Sequence, residues 1–361
     1  MLDFTSALYL GMRHESRSLR PWSQFTTGVP TVLAAPAGTH TVVQKLARLL
    51  GCERAVLAPS TLHLFWDLFG IFVKNAVAVY MDNGTYPIAR WGAERAAAAG
   101  VPVRNFPHHD ASALRQHLQH RVFQYRIPLV ITDGFCLECG QPAPIGAYLK
   151  LVRQFGGYLI IDDTQALGIL GHSPKVDMPY GKGGGGSLRW NKVTGPEILI
   201  ISSLAKGFGV PVAVLAGSNS MIQSFEVKSD TRVHCSPPSI AVLRAAEHAL
   251  SENAERGDEL RIRLAQLVHR FREAIGRAGF TLKGGLFPVQ TLAPVPGLDA
   301  VILHRRLLRS GIRTVLHRSR NGSQARISFL ITARHSPEDI DHVVDVLVNK
   351  TGRKNLYLFN K

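Results

Sequence analysis

Tyr158-Leu159-Ile160-Ile161-Asp162-Asp163-Thr164-Gln165-Ala166-Leu167-Gly168 is the stretch on which the reading of this chain turns. A short apolar run bounded by turn residues predicts a buried strand of a largely parallel sheet. Its carboxylates fall at the strand's carboxyl end, where open α/β sheets bind their ligands. A second run of the same kind, Ile198-Leu199-Ile200-Ile201, leads into Ser202-Ser203-Leu204-Ala205 and then Lys206-Gly207-Phe208-Gly209. It places a lysine just past another strand end. Pyridoxal 5'-phosphate (PLP) requires an amine that condenses with its aldehyde and a carboxylate that holds its ring nitrogen protonated. Singly each signal is weak, because a strand-end aspartate is often a cap and a lysine in a glycine-rich turn is usually solvated. Together, Asp162 and Lys206 point to PLP chemistry.

The sequence on either side alternates helix-like and strand-like segments, the pattern of an α/β domain. Helical periodicity covers 41–50, 93–99, 111–120 and 145–155, and strand-like runs fall at 55–58, 76–80, 101–103, 129–132 and 212–216. The apolar segment 62–80 carries His63, Asp67, Lys74 and Asn75, so it predicts a buried helix running into a strand rather than a bilayer span. Residues 180–192, with Gly183 to Gly186 consecutive, read as a loose surface excursion. From Pro237 the pattern changes to one long helix or two over 239–274, strands at 287–292 and 325–331, and a helix opened by Ser336-Pro337-Glu338-Asp339.

A chain of 361 residues is long enough to bury a substantial core and to form two lobes. Four cysteines do not make a disulfide framework, and a reduced, cytoplasmic setting fits them best. No secretory leader is recognisable at the N-terminus, and no segment reads as a membrane span. Cys136 and Cys139 form an isolated C-x-x-C; a zinc site needs a second ligand pair at matching spacing, and none is evident in the sequence, so no metal is expected. The net charge of +16 is dispersed, without an aromatic-basic repeat or a nucleic-acid-reading motif. An anionic small molecule bearing phosphates, or merely a basic surface, explains it equally well, and neither a nucleic-acid nor a membrane partner is expected.

Thr132-Asp133-Gly134, Pro144-Ile145, the run from Tyr158 to Gly171 and Ser203-Leu204-Ala205-Lys206-Gly207-Phe208-Gly209 together resemble the α-oxoamine synthase family. That family includes 8-amino-7-oxononanoate synthase and glycine C-acetyltransferase. Gly38-Thr39-His40 and the tail from Gly311 to His335 extend the likeness over nearly the whole chain. The resemblance implies an α/β PLP-dependent transferase of aminotransferase fold type I, with a large, mostly parallel sheet domain and a smaller α/β C-terminal domain. The implied division is an N-terminal segment, 1–40, associated with the small domain, a large PLP-binding domain, 41–236, and a small C-terminal domain, 237–361. Lys206 is then the Schiff-base lysine, Asp162 the ring-nitrogen partner and Tyr86 a ring stacked on the cofactor. Ser203, Ser60, Thr61 and Leu62 serve the phosphate, partly through backbone N–H groups. A homodimer is also implied, with the segment near His234-Cys235-Ser236 reaching the neighbour's phosphate.

Four positions depart from the family pattern. Gln165 stands where a histidine is expected against the ring's phenolic oxygen, and it can donate a hydrogen bond but cannot become cationic. Ser328 replaces an arginine that clamps the amino-acid carboxylate, and a hydroxyl lacks that charged bidentate grip. Leu137 and the Ser6-Ala7-Leu8 stretch differ as well. Groups that hold PLP are largely kept, whereas groups that read the amino-acid substrate are changed. The leading expectation is a C-acyltransferase that condenses an amino acid with an acyl thioester, acyl-CoA or acyl-carrier protein, into an aminoketone with loss of carboxylate, as 8-amino-7-oxononanoate synthase does. An aminotransferase or lyase of the same fold, and a non-catalytic partner subunit, stay open beside it.

Overall fold

The structure is a computed structural model that describes residues 1–120, 125–295, 297–318 and 324–351. Seven strands form its main sheet: β1 (Arg54–Ala58), β2 (Val77–Asp82), β3 (Val103–Phe106), β4 (Ile127–Asp133), β5 (Tyr158–Asp162), β6 (Ile198–Ser203) and β7 (Ala213–Gly217). Their order is β1-β7-β6-β5-β4-β2-β3. The block β6-β5-β4-β2-β3 is parallel throughout, while β7 runs antiparallel to both β6 and β1. The sheet is therefore mixed at one edge and parallel where the chemistry lies.

The central strands read as unbroken apolar runs because both faces are covered. Leu159, Ile161, Ile198 and Ile200 belong to the core on one face, and Ile160, Leu199 and Ile201 to the core on the other. Each is almost fully buried and contributes about 1.5–3 kcal/mol of apolar burial. The segment after Leu62 divides as expected into a helix, Thr61–Phe72, and strand β2. The expected strand near Val101 begins two residues later, at Val103, since Pro102 has no N–H to give the ladder.

The C-terminal sheet contains β8 (Leu282–Lys283), β9 (Val289–Leu292), β10 (Val315–Arg318) and β11 (Ala325–Leu330), all antiparallel, in the order β8-β9-β11-β10. The 239–274 segment is one helix, Ile240–Arg277, opened by Ser239, whose hydroxyl accepts from the N–H of Val242. Ser336 and Asp339 cap the last helix reciprocally: Ser336 N–H donates to Asp339 Oδ2, and Asp339 N–H to Ser336 Oγ. The N-terminal residues are stitched to this sheet. Leu2–Asp3 pairs in parallel with Ile312–Arg313, and the N–H groups of Leu330 and Ala333 donate to Phe4 O and Tyr9 O.

The glycine-rich stretch is not a loose surface excursion. It forms bridges Leu167–Gly185 and His172–Lys182, and Gly184 to Leu188 are buried. Arg261, 1% exposed on the long helix, donates to Gly168 O, Asn253 Oδ1 and Asp258 Oδ1; Asn253 and Asp258 in turn bind Gly183. The glycines are there for close approach. Gly186 takes φ +84°, and a Cβ there would lie 1.9 Å from the Asp163 carboxylate. A run of small residues signals space for a neighbour as readily as it signals mobility, and here the neighbour is a buried aspartate.

Candidate active site

The cavity that gathers most of the expected residues has a volume of about 570 Å³ and lies where the carboxyl ends of β4, β5 and β6 face the small sheet. Lys206, Asp162, Gln165, Tyr86, Ser203 and Thr61 all line it. Ser60 and Leu62 flank Thr61 at the same helix start without lining the cavity, and Leu62 is 42% exposed.

Strand register brings the key groups together. Asp162 pairs with Asp133 on one side and Ile201 on the other, so two carboxylates end adjacent strands. Asp162 is buried, which raises its pKa; the N–H of Thr164 (3.1 Å) and the charge of Lys206 oppose that rise. Burial lowers the pKa of Lys206, with Asp162 and Asp133 pulling it back up. A desolvated amine with a lowered pKa is a better nucleophile at neutral pH. The Lys206 Nζ lies 5.8 Å from the centre of the half-exposed Tyr86 ring, and Tyr86 N–H donates to Asp133 Oδ1 at 3.0 Å. One network thus orients both the lysine's wall and the aromatic face opposite it.

Ser203 N–H donates to Thr164 Oγ1, and Ser203 Oγ accepts from Ala205 N–H, which shapes the turn that carries Lys206. Gln165 Oε1 accepts from the buried Tyr9 hydroxyl at 2.9 Å. That bond occupies the amide oxygen and leaves the NH₂ end as the part able to donate. At the helix start, the Ser60 hydroxyl turns to His63 Nδ1 (2.8 Å) and caps no backbone N–H. The first-turn N–H groups at Thr61 are therefore not taken by a side-chain cap, the condition under which a helix N-terminus receives an anion.

The substrate-side wall differs from what the resemblance implies at Ser328. Its hydroxyl is buried between Thr291 Oγ1 (2.6 Å) and His317 Nε2 (2.8 Å). On β11, Arg326, Ser328 and Leu330 all reach the cavity while Ile327 and Phe329 enter the core, as a two-residue period requires. Arg326 Nε is buried without a hydrogen-bond partner among the described residues. Arg318 and Lys283 add positive charge to the same wall.

Several participants were not singled out by sequence reasoning. Thr164 sits inside the diagnostic motif but looks like a spacer there; only the fold shows it serving Asp162 and Ser203 at once. Asp133 is marked by its strand end. Tyr9, His317, Thr291, Arg318 and Lys283 come from segments far from the motif and carry no local signal.

The donor set fits PLP: a buried amine and a buried carboxylate share one cavity, a tyrosine ring faces them, and an uncapped helix start meets the cavity edge. The family model described as Aminotransferase class I and II matches residues 31–347. The chain is 27% identical to an 8-amino-7-oxononanoate synthase of Pseudescherichia vulneris over 357 residues, 96% of this chain and 88% of that protein. A point variant of serine palmitoyltransferase from S. paucimobilis, with PLP and myriocin bound, superposes with a TM-score of 0.83 at 14% identity, covering 96% of this chain and 86% of the other. The 8-amino-7-oxononanoate synthase of Francisella tularensis gives 0.75 at 16% identity, covering 98% of both chains. The chain therefore belongs to the aminotransferase class I and II family and has the fold of the fold type I PLP-dependent transferases.

Proposed function

We propose that this protein is a PLP-dependent C-acyltransferase of the α-oxoamine synthase type. It joins the α-carbon of an amino acid to the acyl group of a thioester and releases carbon dioxide, a thiol and an aminoketone. The single observation that carries the reading is the convergence of Lys206, Asp162 and Tyr86 on one cavity, beside a second, cationic wall. The 27% identity to an 8-amino-7-oxononanoate synthase supports acyl transfer over other chemistries of the fold. When bound, PLP supplies an electron sink that stabilises negative charge at the α-carbon.

The roles of the chain's own residues follow from their surroundings. Lys206 would anchor the cofactor through Nζ and, as a free amine, would move the α-proton as a general acid/base. Asp162 would hold the ring nitrogen protonated, Tyr86 would cover the ring, and the Gln165 amide would donate to the ring oxygen. Ser203 and the helix start at Ser60, Thr61 and Leu62 would take the phosphate. Arg326, whose Nε lacks a partner among the described residues and which shares a face with Ser328, takes the substrate carboxylate. The segmentation into 1–40, 41–236 and 237–361, with the active site at the boundary of a homodimer, belongs to the same proposal; a monomer on sizing in solution removes the dimer.

A second reading, transamination or elimination at the same site, is favoured by the Ser328–His317–Thr291 cluster that stands where an arginine is expected. The two separate in one assay. Thiol release from acyl-CoA or acyl-carrier protein that depends on an added amino acid supports acyl transfer. Conversion of the cofactor to pyridoxamine phosphate by amino acids, without thiol release from any donor, supports the second reading.

A further inference from the structure

The carboxyl ends of three neighbouring strands place two short motifs side by side. After β3, Pro107 leads to His108-His109; after β4, Cys136 and Cys139 occupy a tight turn in which Gly140 N–H donates to Cys136 O. The ligand-capable atoms of His108, His109 and Cys139 lie within 4.8 Å of one another. His108 Nε2 is 3.3 Å from Cys139 Sγ, and His109 Nδ1 is 3.9 Å from it. A tetrahedral zinc with Zn–S near 2.3 Å and Zn–N near 2.05 Å separates nitrogen from sulfur by about 3.5 Å, between the two measured distances.

The surroundings are those of a built site. His108 Nδ1 lies 2.6 Å from the buried Asp82 Oδ1, which fixes the proton on Nδ1 and turns Nε2 toward Cys139. Asp82 is itself held by the N–H groups of Gly84 and His109 and by the Tyr148 hydroxyl. His109 adopts φ +59°, uncommon for a residue with a side chain, and this sets its ring against that of His108 with centroids 3.7 Å apart. No hydrogen bond of the His109 ring stands in the way: Nε2 has no partner among the described residues, and Nδ1 faces Cys139.

We propose that His108, His109 and Cys139 bind one zinc ion at the rim of the active-site cavity, with the fourth position left to water or another small donor. One thiolate and two imidazoles in tetrahedral reach select zinc over hard cations. The histidine pair that the C-x-x-C lacks in the sequence is brought to its second cysteine, Cys139, by the fold. Cys136, Leu137 and Glu138 line the cavity, so the metal fastens that wall to the end of β2 and to the loop bearing Tyr86.

The test uses the untagged, PLP-loaded protein, kept reduced. Its zinc content is measured by atomic emission, and metal-free protein is then titrated anaerobically with Co²⁺, read through d–d bands well to the red of PLP absorbance. The expected result is one zinc per chain and an intense tetrahedral Co²⁺ spectrum. Cys139→Ser and His109→Ala abolish that spectrum, whereas Cys52→Ser and Cys235→Ser leave it. Asp82→Asn weakens Co²⁺ binding about 10–100-fold through loss of the histidine's orienting partner. The wild-type titration is decisive even if a variant misfolds: absence of zinc and of the tetrahedral spectrum, with the Cys139 thiol shown free, overturns the proposal. So does an unchanged spectrum in the correctly folded Cys139→Ser and His109→Ala proteins.

Discussion

Replacing Asp162 by asparagine has opposite expected effects on the cofactor-free and cofactor-bound protein. In the cofactor-free state the carboxylate is buried, with a backbone N–H and the Lys206 charge in its support, and burial raises its pKa above 3.8. A carboxyl group raised on folding contributes stability that is fully present below pH 3.8 and is lost as pH rises through the folded value. Asparagine is isosteric, can still accept from Thr164 N–H and carries no charge to desolvate. The metal- and buffer-matched cofactor-free Asp162→Asn protein therefore equals or exceeds wild type in thermal stability at pH 8, and the difference shrinks toward pH 4. With PLP present the sign reverses. A hydrogen bond to a charged partner is worth about 1.5–3 kcal/mol, so the Kd for PLP rises about 10–150-fold. Thermal melts across pH and equilibrium dialysis of PLP measure the two halves. A variant that is much less stable without cofactor at pH 8, yet binds PLP as tightly as wild type, would show that Asp162 is a structural cap.

Three further outcomes are expected. Gly186→Ala forces a Cβ to within 1.9 Å of the Asp163 carboxylate at φ +84°, and strain of about 1–3 kcal/mol plus displacement of that carboxylate should appear as a marked loss in urea unfolding; a change within about 0.5 kcal/mol would mean the loop can relax. Arg261→Ala leaves Gly168 O and Asn253 Oδ1 without this donor, at about 1–3 kcal/mol each, and Arg261→Lys recovers only part because an ammonium cannot fork between them; equal stability of all three proteins would show the contacts to be incidental. Because burial lowers the Lys206 pKa while Asp133 raises it, PLP loading should gain rate at lower pH than a free lysine does, and Asp133→Asn should move that profile lower still; an upward move would reverse the assigned electrostatics.

The large sheet was legible because its central strands, covered on both faces, must be written as apolar runs, and a charged residue at the end of such a run stands out. Asp162 and Lys206 were found for that reason, and the fold brings them to the same cavity with Tyr86, Gln165, Ser203 and Thr61. The glycine run was misread because composition cannot tell a segment that lacks side chains for freedom from one that lacks them to admit a buried carboxylate. Contacts between distant segments had no local trace: Tyr9 with Gln165, Thr291 with Ser328, and the histidine pair with the C-x-x-C lie well apart in sequence and meet only through the fold. Among the described residues no helix is long and apolar enough to cross a membrane, as the charges within 62–80 suggested.

Borohydride reduction of the protein incubated with PLP, followed by peptide mass mapping, addresses the assignment of the amine at its root. Among the described residues two lysines line the cavity, Lys206 and Lys283, and of these Lys206 stands beside a buried carboxylate at a strand end. The expected product is a single pyridoxyl adduct on Lys206, absent from Lys206→Ala together with turnover. An adduct on Lys283, or colour and activity that survive in Lys206→Ala, would overturn the reading of this cavity.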